Sequence, residues 1–217
     1  MTGSGLAPET RVLVRISAAL AAAGAAADGS ELEAALEAAL RTADPEAVEE
    51  VILQSYLFLG YPAALNAFGL WRRVSGRRPA AATEEAPPAW ADRGREVCRA
   101  VYGGQYDGLR ANVRALHPDM ERWMVVEGYG KVLGRPGLDL PTRELCVVAL
   151  LAVARAPVQL YSHLRGALNV GVTPDALGEA LAVAAAVSDP AATRTARTTW
   201  ERVRRRREGP ADGGAGV

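Results

Sequence analysis

Apolar residues recur three or four positions apart along nearly the whole chain, which is the spacing of one face of an α-helix. No stretch of useful length alternates apolar and polar residues as a half-buried strand does. The pattern therefore predicts an all-α fold. The expected helices span about 8–24, 30–42, 45–59, 61–74, 92–102, 105–116, 118–133, 142–155, 158–170, 174–187 and 189–208.

Composition limits the classes of protein that this chain can belong to. Its 217 residues are enough to bury a core, with 49% hydrophobic residues, 23% charged residues and zero formal net charge. Balanced charge gives no support for a nucleic-acid or membrane partner. The two cysteines, Cys98 and Cys146, belong to no CxxC pair, so we expect neither a disulfide framework nor a metal site. A cytoplasmic location fits this cysteine usage.

One segment near the N-terminus has two interpretations. Residues 11–27 combine positive charge, an apolar run and small residues, as a signal peptide does. Arg15 interrupts the apolar run, and the repeat described next gives the segment a place in the fold. We interpret it as a core helix, with a cleaved signal peptide as the alternative.

Two helix starts indicate an internal duplication. Asp44 and Thr173 each place a capping side chain before a proline at the first helical position. Aligning these starts brings Glu50 opposite Glu179, and upstream residues 10–20 align with 142–152. Alanine-rich helices align readily with one another, which is the alternative explanation.

The duplication divides the chain into parts. We predict two pseudo-symmetric repeats, a degenerate first one over 1–74 and a second over 92–208. A polar, Pro-rich linker covers 75–91, and a frayed tail covers 209–217.

Glu144 and His163 form a candidate acid/base pair. Glu144 is the lone acid in the apolar run 143–154, and His163 is one of only two histidines. In a straight hairpin turning at Pro157 the two are displaced by roughly 10 Å along the helix axes, so contact requires crossing helices, a kink or a bridging water. A helix dipole alone also favours Glu144, and His163 could be a structural core residue. The other histidine, His117, reads as part of a helix entry.

Several motifs in the second half resemble the carboxymuconolactone decarboxylase family, which shares its helical fold with AhpD-like alkylhydroperoxidases. They are GYGKVLGRPGLDLPTREL at 128–145, HLRGALNVG at 163–171 and TPDALGEAL at 173–181. In the first half, EVILQSYLFLGYPAALNA at 50–67 is similar to another helix pair of the family. The resemblance implies an AhpD-like helical bundle, a homo-oligomer and a carboxy-lyase that needs no cofactor.

The resemblance also implies roles for particular residues. His163 would be the general acid or base, and Glu144 would orient the imidazole. Arg143 or Arg165 would pair with a substrate carboxylate, with ion pairs inside the protein as the alternative. Tyr61 from the first half would lie near the pair, unless it only packs. The substrate would be a small carboxylated lactone or a similar molecule, with no nucleic-acid or membrane partner.

Departures from the family pattern disfavour a redox role. AhpD-type members carry a CxxC pair before the histidine, and those positions hold Ala156 and Gln159 in this chain. Peroxide reduction requires a thiolate and a resolving cysteine. The first half has Val12 and about Ala34 at the positions of Glu144 and His163, so we expect a single composite site. A non-catalytic scaffold is the third interpretation.

Overall fold

The computed structural model describes residues 5–23, 29–79, 81–82 and 85–208, and helices account for most of these residues. They contain no strand, so the all-α prediction is confirmed. The elements are α1 (Pro8–Ala23), α2 (Ser30–Thr42), α3 (Pro45–Ser75), α4 (Pro87–Tyr102), a 3₁₀ turn (Gly103–Gln105), α5 (Tyr106–Leu116), α6 (Pro118–Trp123), a π-helix (Met124–Leu133), α7 (Leu140–Val153), α8 (Pro157–Asn169), α9 (Pro174–Ala185) and α10 (Pro190–Glu208). The predicted tail 209–217 lies outside the described residues.

Helices α1 and α7 pack against each other at the centre of the molecule. α7 is buried from Thr142 to Ala152, and α1 buries nearly every residue from Val12 to Ala21. A helix that is apolar on all sides requires such a position. The described part of the signal-peptide-like segment is thus a core helix, whereas residues 24–27 lie outside the described residues.

The other helices surround this pair in a reciprocal arrangement. α2 and α3 pack on α1, while α8 and α9 pack on α7. α9 also contacts α1, and α3 also contacts α7. Both predicted caps are present, because Asp44 accepts a hydrogen bond from the Glu46 amide at 2.8 Å and Thr173 accepts one from the Ala176 amide at 3.2 Å.

Helix α3 joins two helices that the sequence pattern separates. The predicted helices 45–59 and 61–74 run together with a kink at Gly60, whose φ of 80° suits glycine. Pro62 lacks the amide hydrogen that a continuous helix would use. By length and apolar composition alone α3 would be able to cross a membrane. One third of its apolar window is buried inside the protein, and the kink at Gly60 divides the helix.

The connection between the two halves is shorter than predicted. α3 ends at Ser75 and α4 begins at Pro87, whereas the predicted linker covered 75–91 and the next helix was expected at 92. Pro87 and Pro88 lie in the first turn of α4. Backbone amides there have no acceptor within the helix, so the missing amide hydrogen of proline costs nothing. The Pro-rich segment therefore starts a helix as well as linking two.

A buried ion pair joins the two halves. Arg143 of α7 is fully buried, and its Nη2 lies 2.8 Å from Oε2 of Glu50 in α3. Arg135 also pairs with Glu50 at 3.0 Å, and Gln54 accepts a hydrogen bond from Arg143 at 3.2 Å. Burial of this charge is tolerated because its donors are matched by acceptors, including the carbonyl of Leu138.

A second ion pair also connects the halves, from α1 to α9. Arg11 pairs with Glu179, and Glu179 also accepts a hydrogen bond from the Leu6 amide at 2.5 Å. In the alignment of the proposed repeats, Arg11 corresponds to Arg143 and Glu179 to Glu50. Each half thus supplies one arginine to the glutamate of the other half.

Candidate functional site

The structure brings Glu144 and His163 into direct contact. His163 Nδ1 lies 2.9 Å from Glu144 Oε2. The glutamate side chain is fully buried and the histidine side chain is 7% exposed. A carboxylate bound to one ring nitrogen fixes the orientation of the imidazole and favours a proton on Nδ1.

The contact arises because the turn between α7 and α8 is longer than the straight hairpin assumed. α7 ends at Val153, so Glu144 lies nine residues before the end of its helix. His163 lies six residues after the start of α8 at Pro157. The axial offset is therefore roughly 4.5 Å, which two long side chains span.

Gly166 makes room for the side chain of Val101 and, to a smaller extent, for the Glu144 carboxylate. A Cβ atom at this position would lie 3.3 Å from Glu144 Oε2 and 2.5 Å from Cγ1 of Val101. Gly166 follows His163 by one helical turn, so the two residues face the same side of α8. Packing beside Glu144 thus explains why the HLRGALNVG motif has a glycine at position 166.

The first half contributes an aromatic wall. The ring of Phe58, in α3, meets the ring of His163 edge to face, with centroids 5.9 Å apart. The apolar ring restricts the imidazole and excludes water from one side of it. Phe58 belongs to the 50–67 motif, but its contact with His163 depends on how α3 packs and has no local sequence signal.

Two tyrosines lie close enough to Glu144 for its charge to act on them. The hydroxyls of Tyr129 and Tyr102 are 3.0 Å apart. Burial, with a smaller contribution from the negative charge of Glu144, raises the pKa of Tyr102 to about 12. The same causes raise the pKa of Tyr129 well above its usual value. Both hydroxyls therefore keep their protons at neutral pH and can donate hydrogen bonds.

One oxygen of the Glu144 carboxyl is left without a protein partner. Oε2 contacts His163, whereas Oε1 is buried and has no hydrogen-bond partner among the described residues. A buried acceptor without a partner is costly in free energy. A catalytic role and an ordered water are among the reasons for such an atom in a folded protein.

No hydrogen bond, ion pair or ring contact joins the three predicted substrate-binding residues to the pair in the described part of the chain. Arg143 is enclosed, and its donors are engaged with Glu50, Gln54 and backbone carbonyls, so its position fits the alternative of an internal ion pair. Arg165 is exposed on the opposite face of α8 from His163. Tyr61 is 64% exposed and stacks on the ring of Tyr56 with centroids 5.0 Å apart.

The cysteines are also buried away from solvent. Burial raises the pKa of Cys98 to about 12 and raises that of Cys146 further. Within the described ranges, no group of three or more His, Cys, Asp or Glu side chains could hold a metal ion.

The residues around the pair that sequence reasoning missed are Phe58, Tyr102 and Gly166.

Comparisons with known proteins find similarity that includes the second half of the chain. The model of the "Carboxymuconolactone decarboxylase family" matches residues 118–201, which include Glu144 and His163. Nitrosuccinic acid decarboxylase npaB of Metarhizium robertsii is 36% identical over 97 residues, 43% of this chain and 66% of that protein. 4-Carboxymuconolactone decarboxylase of Acinetobacter baylyi is 33% identical over 88 residues, 40% of this chain and 66% of that protein.

The similarity therefore extends over just under two thirds of each relative and less than half of this chain. The part that matches the family model carries the buried acid and imidazole. Residues 118–201 are therefore similar to the carboxymuconolactone decarboxylase family.

Proposed function

We propose that this protein is a decarboxylase that acts on a small carboxylic acid by proton transfer at His163, without a cofactor. The observation that carries the proposal is the 2.9 Å contact between His163 Nδ1 and the fully buried carboxylate of Glu144. The names of both relatives describe decarboxylases of small carboxylated molecules. A carboxylated lactone is the substrate class that the family resemblance favours.

The proton balance of the reaction assigns the two roles. Loss of CO₂ leaves the electron pair of the broken C–C bond on the substrate carbon, and a proton must take the place of CO₂. The His163 imidazolium can supply it from Nε2, which makes no hydrogen bond with the described residues. Glu144 accepts a hydrogen bond from Nδ1–H of His163 and stabilises the cationic ring before the proton is transferred. Solvent then returns a proton to the imidazole.

The surroundings support a proton transfer in a site of low water content. Phe58 covers one side of the imidazole, and the hydroxyls of Tyr102 and Tyr129 lie close enough to Glu144 for its charge to act on them. Low local dielectric strengthens the interaction of the imidazolium with Glu144. The proton that Tyr102 retains at neutral pH is available to hydrogen-bond a developing oxyanion.

Substitution of the two histidines tests the proposal with a matched control. The assay measures CO₂ released from 4-carboxymuconolactone and from nitrosuccinic acid, and deuterium incorporated at the reacting carbon in D₂O. We expect H163Q to lower kcat/KM by roughly 10²-fold or more, because the proton donor is lost. E144Q keeps the shape of the site and should mainly lower kcat. H117Q should change kcat/KM by less than about twofold, since His117 is an exposed cap of α6 with no part in the proton transfer.

Full activity in H163Q, or an equal loss in H117Q, would overturn the proposal. Absence of CO₂ release from both acids by the unaltered protein is the outcome that the non-catalytic scaffold predicts.

The AhpD-type peroxidase is disfavoured because both thiols are buried and protonated. The homo-oligomer and the cytoplasmic location remain predictions. Three exposed apolar side chains, Leu116, Met120 and Trp123, support the oligomer.

A further inference from the structure

A cluster of arginines surrounds one tyrosine on the outer face of α8. The guanidinium carbon of Arg202 lies 4.6 Å from the centroid of the Tyr161 ring. Those of Arg165 and Arg206 lie 5.8 and 5.9 Å from the same centroid. Arg206 also donates a hydrogen bond to the Tyr161 hydroxyl at 3.0 Å. The ring thus holds guanidinium groups from both α8 and α10 in one place.

These charges have no counter-ion among the described residues. Arg165, Arg202, Arg206 and Arg207 form no ion pair with a carboxylate there. Several arginines elsewhere do form one, as Arg93 does with Glu85 at 2.6 Å. Like charges held close together repel one another, and an external anion would relieve this repulsion.

Two arginines of this cluster, Arg165 and Arg206, open onto a concave space that Arg207 also lines. A cavity of about 470 Å³ between α8 and α10 is lined by Arg165, Leu168, Asn169, Val203, Arg206 and Arg207. We call it the α8–α10 groove. Leu168 and Val203 give it an apolar floor, while guanidinium groups form its sides. A volume of this size matches small-molecule sites.

We propose that the α8–α10 groove binds a small organic anion that carries at least two carboxylate or phosphate groups. Guanidinium forks pair with such groups through two parallel hydrogen bonds. Two arginines from different helices can each take one group, and the apolar floor accepts the carbon framework between them. The zero net charge of the chain favours this local site over a surface for nucleic acid.

The groove is separate from the His163 site. Successive residues of a helix turn by 100°, so Tyr161 and Arg165 face almost opposite to His163 on α8. The burial pattern agrees, because His163 and Leu164 are buried and Arg165 is exposed. The proposal therefore does not depend on the decarboxylase function, and the groove is a second ligand site.

Calorimetric titration of the full chain tests the groove directly. The probes are citrate, inorganic pyrophosphate and acetate, at constant ionic strength. We expect citrate or pyrophosphate to bind roughly tenfold or more tightly than acetate, because two guanidinium groups engage. Preference for citrate or for pyrophosphate distinguishes a carboxylate from a phosphate ligand. H163Q should bind the preferred probe as the unaltered protein does.

A charge-matched pair of variants separates the groove from the general charge of α10. R165Q/R206Q should weaken binding roughly tenfold, whereas R194Q/R197Q, which removes two exposed arginines outside the groove, should change it by less than about twofold. Equal weakening in both variants, or no binding of either polyanion below about 10 mM, would overturn the proposal. So would an RNA oligonucleotide that binds more tightly than both probes and responds to both variants.

Discussion

At the scale of single residues, the chemistry of the site follows from where charge is buried. Glu144 has one oxygen on His163 and one without a partner, so the carboxyl is not fully used by the fold. Arg143, the neighbouring residue, has its donors taken by the protein. These adjacent residues on the same buried helix thus differ in role. Arg143 joins α7 to α3, whereas Glu144 contacts His163.

Both thiols should be unreactive in the folded protein. Burial raises the pKa of Cys98 to about 12 and that of Cys146 further, so the thiolate fraction at pH 8 is lower by a factor on the order of 10³ than for an ordinary thiol. We expect a disulfide reagent to label both cysteines quickly in denaturant and neither in the native state. Rapid native labelling of Cys146, with peroxide turnover that depends on it, would instead revive the redox interpretation.

The same shift makes stability depend on pH in a defined direction. The unfolded chain releases its thiol protons from about pH 8.5, whereas the folded state keeps that of Cys98 until about pH 12. Stability from this source is complete below pH 8.5 and is lost as the pH rises above it. Replacement of Cys98 by Ala removes this part of the pH dependence and serves as the control.

At the scale of elements, two glycines allow α4 and the π-helix to approach closely. A Cβ atom on Gly94 would overlap the carbonyl oxygen of Val125, and one on Gly130 would overlap that of Trp90. The two helices therefore meet backbone to backbone. This contact positions the ring of Tyr129 beside Tyr102, at 5.8 Å between centroids.

Gly130→Ala should destabilise the protein by about 1–3 kcal/mol, because neither backbone can give way to the added methyl group. Gly128→Ala is the matched control in the same π-helix, since a Cβ there meets nothing within 4 Å. Urea unfolding of both variants measures the difference. Equal changes in the free energy of unfolding would contradict the close approach as the cause.

At the scale of the whole molecule, reciprocal ion pairs connect the two halves. Arg143 binds Glu50 and Arg11 binds Glu179, and both arginines lie on the central helices. The correspondence of these pairs in the repeat alignment supports the predicted internal duplication, which stays a prediction. The two pairs differ in burial, because Arg143 is fully buried whereas Arg11 is 53% exposed.

The difference in burial predicts unequal stability effects. Arg143→Met should lower the free energy of unfolding by about 3–5 kcal/mol, because it leaves Glu50 buried with only Arg135 as a charged partner. Arg11→Met should cost less than about 1 kcal/mol, since solvent screens an exposed pair. Chemical denaturation of both variants checks the prediction, and equal losses would contradict it.

Much of the fold is accessible from local patterns. The helical spacing, the Asp44 and Thr173 caps and most helix bounds agree with the structure to within a few residues, since each depends on neighbours along the chain. The exceptions are the joining of two predicted helices in α3, the start of α4 at Pro87 and the π-helix at Met124–Leu133. Pro87 is itself a local signal for a first helical turn, whereas the π-helix occurs where the backbone packs closely on α4.

The sequence by itself determined the helical class and the pairing candidates, because periodicity and a lone acid in an apolar run are properties of neighbouring residues. Only the tertiary structure decided that Glu144 reaches His163, that Phe58 covers the ring and that Arg143 is internal. These contacts join residues 19, about 105 and 93 positions apart, and such distances depend on how helices cross. The arginines around Tyr161 also depend on how helices cross. Arg165 is close to Tyr161 in sequence, whereas Arg206 reaches the same ring from α10.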